Sequence, residues 1–210
     1  IRQPLRHFQT ATKDFIIAQN GKGDVFSFNK NGFQEMAARN ITNYSPAPLC
    51  FQLEENQLVL ADKNGDPIEL EMDGGENSLL QNGGIKQNIY KYAAADIGGD
   101  NACDYTVLDK CNLKIFYRHQ GTFKKYGEYD FSTSPSSIFG VRSASMGKSQ
   151  IGATDRILGQ IYLFDKKGNL HPDFPLAGTT TFQLINWYQD DVNMVLVADG
   201  DVVVLYELGE

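Results

Sequence analysis

Nine residues come closest to a ligand-binding pattern. The stretch DIGGDNACD places Asp96, Asp100 and Asp104 at its first, fifth and ninth positions. Carboxylates spaced along a tight loop can turn inward together and offer hard oxygen ligands to Ca²⁺. Against the calcium-loop pattern D-x-D-G-D-G-x-x-D, Gly98 replaces the third-place carboxylate and Asn101 the sixth-place glycine. Losing a carboxylate lowers charge and denticity, so affinity falls. The main expectation is a loop kept for its turn geometry. Calcium on Asp96, Asp100 and Asp104 is the secondary one, and no other cofactor is expected.

Other chemistries find less support. The only imidazoles are His7, His119 and His171, with no H-x-H or H-E-x-x-H spacing to hold a metal. No G-x-S-x-G elbow presents a serine nucleophile. The GKS at 147–149 lacks the glycine of a phosphate loop, because Arg142 stands in its place. Trp187 beside Tyr188 is the remaining candidate. Such a pair can stack on a sugar or anchor a partner protein.

The elements that must position these residues recur along the chain. A short strand ending in a glycine turn appears five times: VFSFNKNG (25–32), IELEMDGG (68–75), KIFYRHQG (114–121), IYLFDKKG (161–168) and VVVLYELG (202–209). The closing glycines follow one another at intervals of 43, 46, 47 and 41 residues. A second strand precedes each copy, at FIIA (15–18), LVLA (58–61), YTVL (105–108), IGA (151–153) and MVLVA (194–198). Gly- and Asp-rich links join the two, and Gly and Asn supply the positive φ of tight hairpins. A third strand lies earlier still: PLRHF (4–8), LCFQL (49–53), NIYKY (88–92), SIFGV (137–141) and TFQLI (181–185). Fourth strands are expected at FQEMAA (33–38), FKKYGEYDF (123–131) and HPDFPLAG (171–178).

Four-stranded units of about 45 residues are the signature of β-propeller blades. The expected fold is all-β, one propeller over 1–210 with blades near 1–40, 41–83, 84–131, 132–177 and 178–210. The last blade lacks a fourth strand. The chain is therefore either a compact five-bladed ring or, as we expect, the closing five blades of a larger one. The innermost strands carry no Asp or Glu, whereas glycoside cleavage needs two carboxylates facing one bond. Asp62, Asp109 and Asp199 fall at hairpin links, where aspartate caps turns.

Hydrophobic residues make up 41% of the 210 residues and charged residues 21%, which excludes disorder, collagen and coiled coil. The net charge of −7 argues against nucleic acid or anionic membrane as a partner. No apolar run approaches the ~20 residues of a membrane span. The sequence opens IRQPLRHF without a signal-peptide pattern and reads as part of something longer. Cys50, Cys103 and Cys111 show no framework spacing and read as small buried hydrophobes. Cys103 and Cys111 flank a strand of roughly 26 Å, beyond the reach of one disulfide.

Three segments carry a more specific likeness: QPLRHFQTATKDFIIAQNGKGDVFSFNKNG (3–32), GQIYLFDKKGNLHPDFPLAGTTTF (159–182) and the final VLVADGDVVVLYEL. They resemble the closing portion of a family of large envelope-associated proteins of anaerobic Gram-negative bacteria. Those proteins carry an N-terminal domain of unknown function and a C-terminal propeller of the quinoprotein-dehydrogenase-like or WD40-like type. The resemblance is at repeat level and covers most of the chain. It implies a place in the cell envelope, periplasmic or membrane-associated through N-terminal sequence, and further blades upstream. Quinone-dependent propellers carry a tryptophan-docking motif in each blade, and this chain has one Trp, so that chemistry is not expected. The 96–104 stretch resembles the calcium loops of integrin-like blades. The expected function is a non-catalytic module for protein interaction or assembly. The alternative is a carbohydrate-binding or hydrolytic propeller completed by blades outside this chain.

Overall fold

The computed structural model describes residues 5–9, 14–20, 22–38, 50–52, 57–61, 67–71, 91–100, 102–119, 122–142, 149–186 and 194–209. Trp187, Tyr188 and Asp62 lie outside them, as does the segment after Gly75. All regular structure among the described residues is strand, and it forms five small antiparallel sheets. The chain divides into two compact units, residues 1–87 and 88–210.

The first unit holds two sheets. One has the order β1 (Arg6–Gln9), β2 (Asp14–Gln19), β3 (Val25–Asn29) and β4 (Gln34–Ala38). The other comprises β5 (Cys50–Gln52), β6 (Gln57–Ala61) and β7 (Pro67–Glu71). Phe15, Ile17 and Val25 are fully or almost fully buried in the first sheet, as are Leu58 and Leu60 in the second.

The second unit holds three. Its first sheet runs β8 (Lys91–Ala95), β9 (Asp104–Asp109), β10 (Asn112–His119) and β11 (Thr122–Asp130). Its second runs β12 (Ser137–Arg142), β13 (Ser149–Asp155), β14 (Gln160–Phe164) and β15 (Leu176–Ala177). Its third has β16 (Gln183–Ile185), β17 (Met194–Asp199) and β18 (Val202–Glu207). Each sheet pairs strands in chain order, and the first strands β8, β12 and β16 lie side by side.

The period-2 alternation of a strand sends successive side chains to opposite faces. Strand β14 shows what that does here. Tyr162 and Phe164 join a core with Leu108, Leu113, Ile115 and Phe131 of the preceding sheet. Ile161 and Leu163 join another with Leu184, Val195 and Val197 of the following sheet. Both faces are covered, so IYLF carries no charged residue.

The hairpin links repeat one local design. In Asn20–Asp24, Asn29–Phe33 and Asp165–Asn169, the first side chain accepts hydrogen bonds from the third and fifth backbone amides at 2.8–3.1 Å. The fourth residue is glycine at φ near +80° in each, namely Gly23, Gly32 and Gly168. This is an Asx-capped turn, in which Asn or Asp satisfies amides the ladder leaves open. The turn at Gly168 also packs on a bulge in β11. A Cβ at Gly127 would lie 2.0 Å from the Lys167 carbonyl oxygen.

Two expectations need correction. Cys50 and Cys103 are disulfide-bonded rather than free hydrophobes, and Cys111 alone is a free thiol. The fourth strand at HPDFPLAG shrinks to Leu176–Ala177, because Pro172 and Pro175 have no amide to donate to a ladder.

Gly127→Ala should cost about 1–3 kcal/mol, as overpacking against fixed backbone does. At ~2–4 °C of melting temperature per kcal/mol in a chain of this size, calorimetry should show a clear drop. An unchanged melting temperature would mean that the turn does not seat on β11.

Candidate functional site

The loop 96–104 joins β8 to β9, and its three aspartates serve the loop's own backbone. Asp96 Oδ1 accepts the amides of Gly99 at 2.6 Å and Asp100 at 3.2 Å. Asp104 Oδ2 accepts those of Ile97 at 2.9 Å and Gly98 at 2.8 Å. Asp100 Oδ1 accepts the Ala102 amide at 3.1 Å. Gly99 supplies the positive φ, at 75°. Among the described residues, no three His, Cys, Asp or Glu side chains form a group that could hold a metal ion.

The same loop borders a cleft of about 320 Å³. Strand pairing explains which residues meet there. Strand β10 runs antiparallel to β9 with Phe116 opposite Tyr105, so Tyr117 lies at the end of the sheet that carries the 96–104 loop. Strand β11 returns beside it, with Lys125 opposite Phe116, which brings up Tyr126. The two rings meet edge to face, centroids 5.1 Å apart. Ile97, Ile115 and Asp104 are buried at the floor. Asp100, Tyr126 and Lys166 are exposed at the rim. Lys166 comes from the β14 turn, held against β11 by the Gly127 contact.

A second polar cluster forms at the opposite end of the same two sheets. Lys91 Nζ donates to the Pro135 carbonyl. Burial lowers its pKa, and the Asp155 carboxylate opposes that shift. Asp155 is buried and accepts the Thr133 hydroxyl and the Ile157 and Leu158 amides. The Tyr162 hydroxyl donates to Gln160 at 2.7 Å. Burial, then Asp155, then Tyr129 raise its pKa, which keeps it protonated. This cluster satisfies buried groups and caps a turn.

Of the sequence candidates, Asp100 and Asp104 line the cleft, while Asp96 holds the amides of Gly99 and Asp100. His7 is exposed, 3.3 Å from Asp14. His171 accepts the Asp173 amide at 3.3 Å. Sequence reading missed Tyr117, Tyr126 and Lys166. The signal was available, because antiparallel pairing puts the first–second and third–fourth strand links of every blade at one end of the sheets.

Comparison with known proteins settles the fold. No protein-family model and no curated protein matches the chain. Solved structures do. The crystal structure of BBS1N in complex with ARL6DN aligns at TM-score 0.59 and 13% identity, over 94% of this chain and 62% of that one. The nidogen/laminin complex aligns at 0.60 and 14%, over 96% and 74%. The N-terminal domain of Nup159 aligns at 0.50 and 12%, over 96% and 59%. The chain thus spans about three fifths of the first of these. At such identities the likeness concerns the fold alone, and that fold is the all-β propeller.

Asp104→Ala should cost about 1–3 kcal/mol, because two amides lose their acceptor. Asp100→Ala at the exposed rim should change stability by no more than ~0.5 kcal/mol. Urea midpoints measure both, and equal losses would contradict the assignment of Asp104 as the loop's anchor. Chelator or added calcium should leave the wild-type midpoint unchanged.

Proposed function

We propose that this chain is a non-catalytic propeller module that binds another protein or the remaining blades of a longer parent chain. One observation carries the reading. Strand β18 exposes apolar side chains where a soluble surface would carry polar ones. Val203 is 74% exposed and Leu205 42%, while Val204 and Tyr206, which alternate with them, pack against the core. Strand β18 pairs only with β17 among the described residues. An exposed, apolar edge strand is a template for pairing or packing. Neighbours of the same fold occur in protein complexes, BBS1N with ARL6DN and nidogen with laminin, which supports a protein as the occupant.

The bacterial cell envelope remains our proposal for location. The disulfide-bonded state of Cys50 and Cys103 supports it, since disulfides persist in oxidising compartments such as the periplasm. The alternative, a carbohydrate-binding propeller, draws on the tyrosine-lined cleft.

The test pairs affinity capture from the source cells with reconstitution from purified components. The wild-type chain should hold a protein or parent-chain segment at fixed stoichiometry. Val203→Lys with Leu205→Lys should abolish that complex and leave the melting temperature within about 2–4 °C of wild type, as surface changes do. A complex indifferent to the two lysines, or a chain that binds oligosaccharides and no protein, would overturn the reading.

A further inference from the structure

The cleft at the 96–104 loop has a composition that selects its ligand. Its volume of about 320 Å³ lies at the small end of the ~300–1,000 Å³ usual for ligand pockets, enough for one side chain or a small molecule. Two carboxylates, Asp100 and Asp104, stand against one lysine, Lys166, so the lining is net acidic. No cation pairs with Asp100 among the described residues. Among the described residues its carboxylate accepts the Ala102 amide at Oδ1, which leaves acceptor capacity at the rim. Tyr117 and Tyr126 stand edge to face beside these carboxylates. Ile97 and Ile115 make an apolar floor.

We propose that this cleft receives an arginine side chain of a partner protein. The guanidinium is planar, stacks on tyrosine faces and presents a fork of donors that matches a carboxylate. Its three-carbon stem suits the isoleucine floor. Lysine offers a rounder, more strongly hydrated charge and makes less use of the aromatic wall. Lys166, on the facing turn, is a donor for the backbone carbonyls that accompany such a side chain. The net charge of −7 also favours a basic partner. The inference rests on the protein-interaction reading, but its site is distinct from the β18 face and is tested without any partner.

The probe is N-acetyl-arginine-methylamide, titrated into the ¹⁵N-labelled chain and followed by amide chemical shifts. Its neutral isostere N-acetyl-citrulline-methylamide and a disaccharide serve as controls. The arginine probe should shift the amides of Ile97, Gly98, Asp100 and Tyr117, and added salt should weaken it. Asp100→Asn keeps the acceptor for the Ala102 amide, so the loop is retained. That variant should lose about fivefold in affinity, as the loss of one charged partner at a surface does. Tyr126→Leu should weaken the probe without altering the loop amides of the free chain. Equal response to the citrulline probe, or no response, overturns the proposal. Shifts with the disaccharide alone would assign the cleft to sugar. Failure here leaves the β18 face standing, since the two lysine substitutions on β18 test that surface separately.

Discussion

Each blade of the second unit is a sheet of three or four short strands with two apolar faces, and such a sheet cannot bury both faces by itself. The rest of the structure depends on that constraint. Tyr162 and Phe164 leave β14 on one side for the preceding sheet, while Ile161 and Leu163 leave it on the other for the following one. One five-residue strand thus serves two cores. Aromatic edge contacts, such as Phe131 on Phe164 at 5.6 Å and Phe139 on Phe182 at 5.3 Å, fix the approach of successive sheets. On β18, Val203 and Leu205 are exposed.

The loops inherit their positions from this stacking. Because every sheet pairs its strands in chain order, the β8–β9 loop and the β14 turn emerge at the same end of adjacent sheets. Lys166 is carried to the cleft by an Asx-capped turn whose own geometry is generic. What is particular is the seat of that turn on Gly127, where no larger residue fits. The cleft is therefore assembled from common turns by an uncommon contact.

The strands whose apolar residues alternate or run together were legible from sequence. SIFGV, IYLF and MVLVA fall where β12, β14 and β17 form. Of NIYKY, Lys91 and Tyr92 fall in β8, which continues to Ala95, and residues 88–90 lie outside the described residues. The three alanines of β8 have low strand propensity, and tertiary packing overrides that. A Cβ at Gly140 of β12 would lie 2.7 Å from the Ala95 Cβ, so small residues are required where the inner strands meet. The aspartates at 96, 100 and 104 read in the sequence as a turn or a calcium loop, and Asp96 and Asp104 accept the loop's own amides. For the cleft beside them, strand pairing signals the common end of the sheets, whereas the stacking that brings Tyr117, Tyr126 and Lys166 together, up to 49 residues apart in sequence, leaves no local pattern.

If both faces of each sheet depend on its neighbours, the three sheets of the second unit must gain and lose stability together. Native-state hydrogen exchange of a Phe164→Ala chain tests this most directly. The substitution removes about 3–5 kcal/mol from the middle sheet. The amides of β9 and β17 should then lose protection by the same free energy as those of β13. If β9 or β17 kept wild-type protection while β13 lost its own, the sheets would be independent and the account would be wrong.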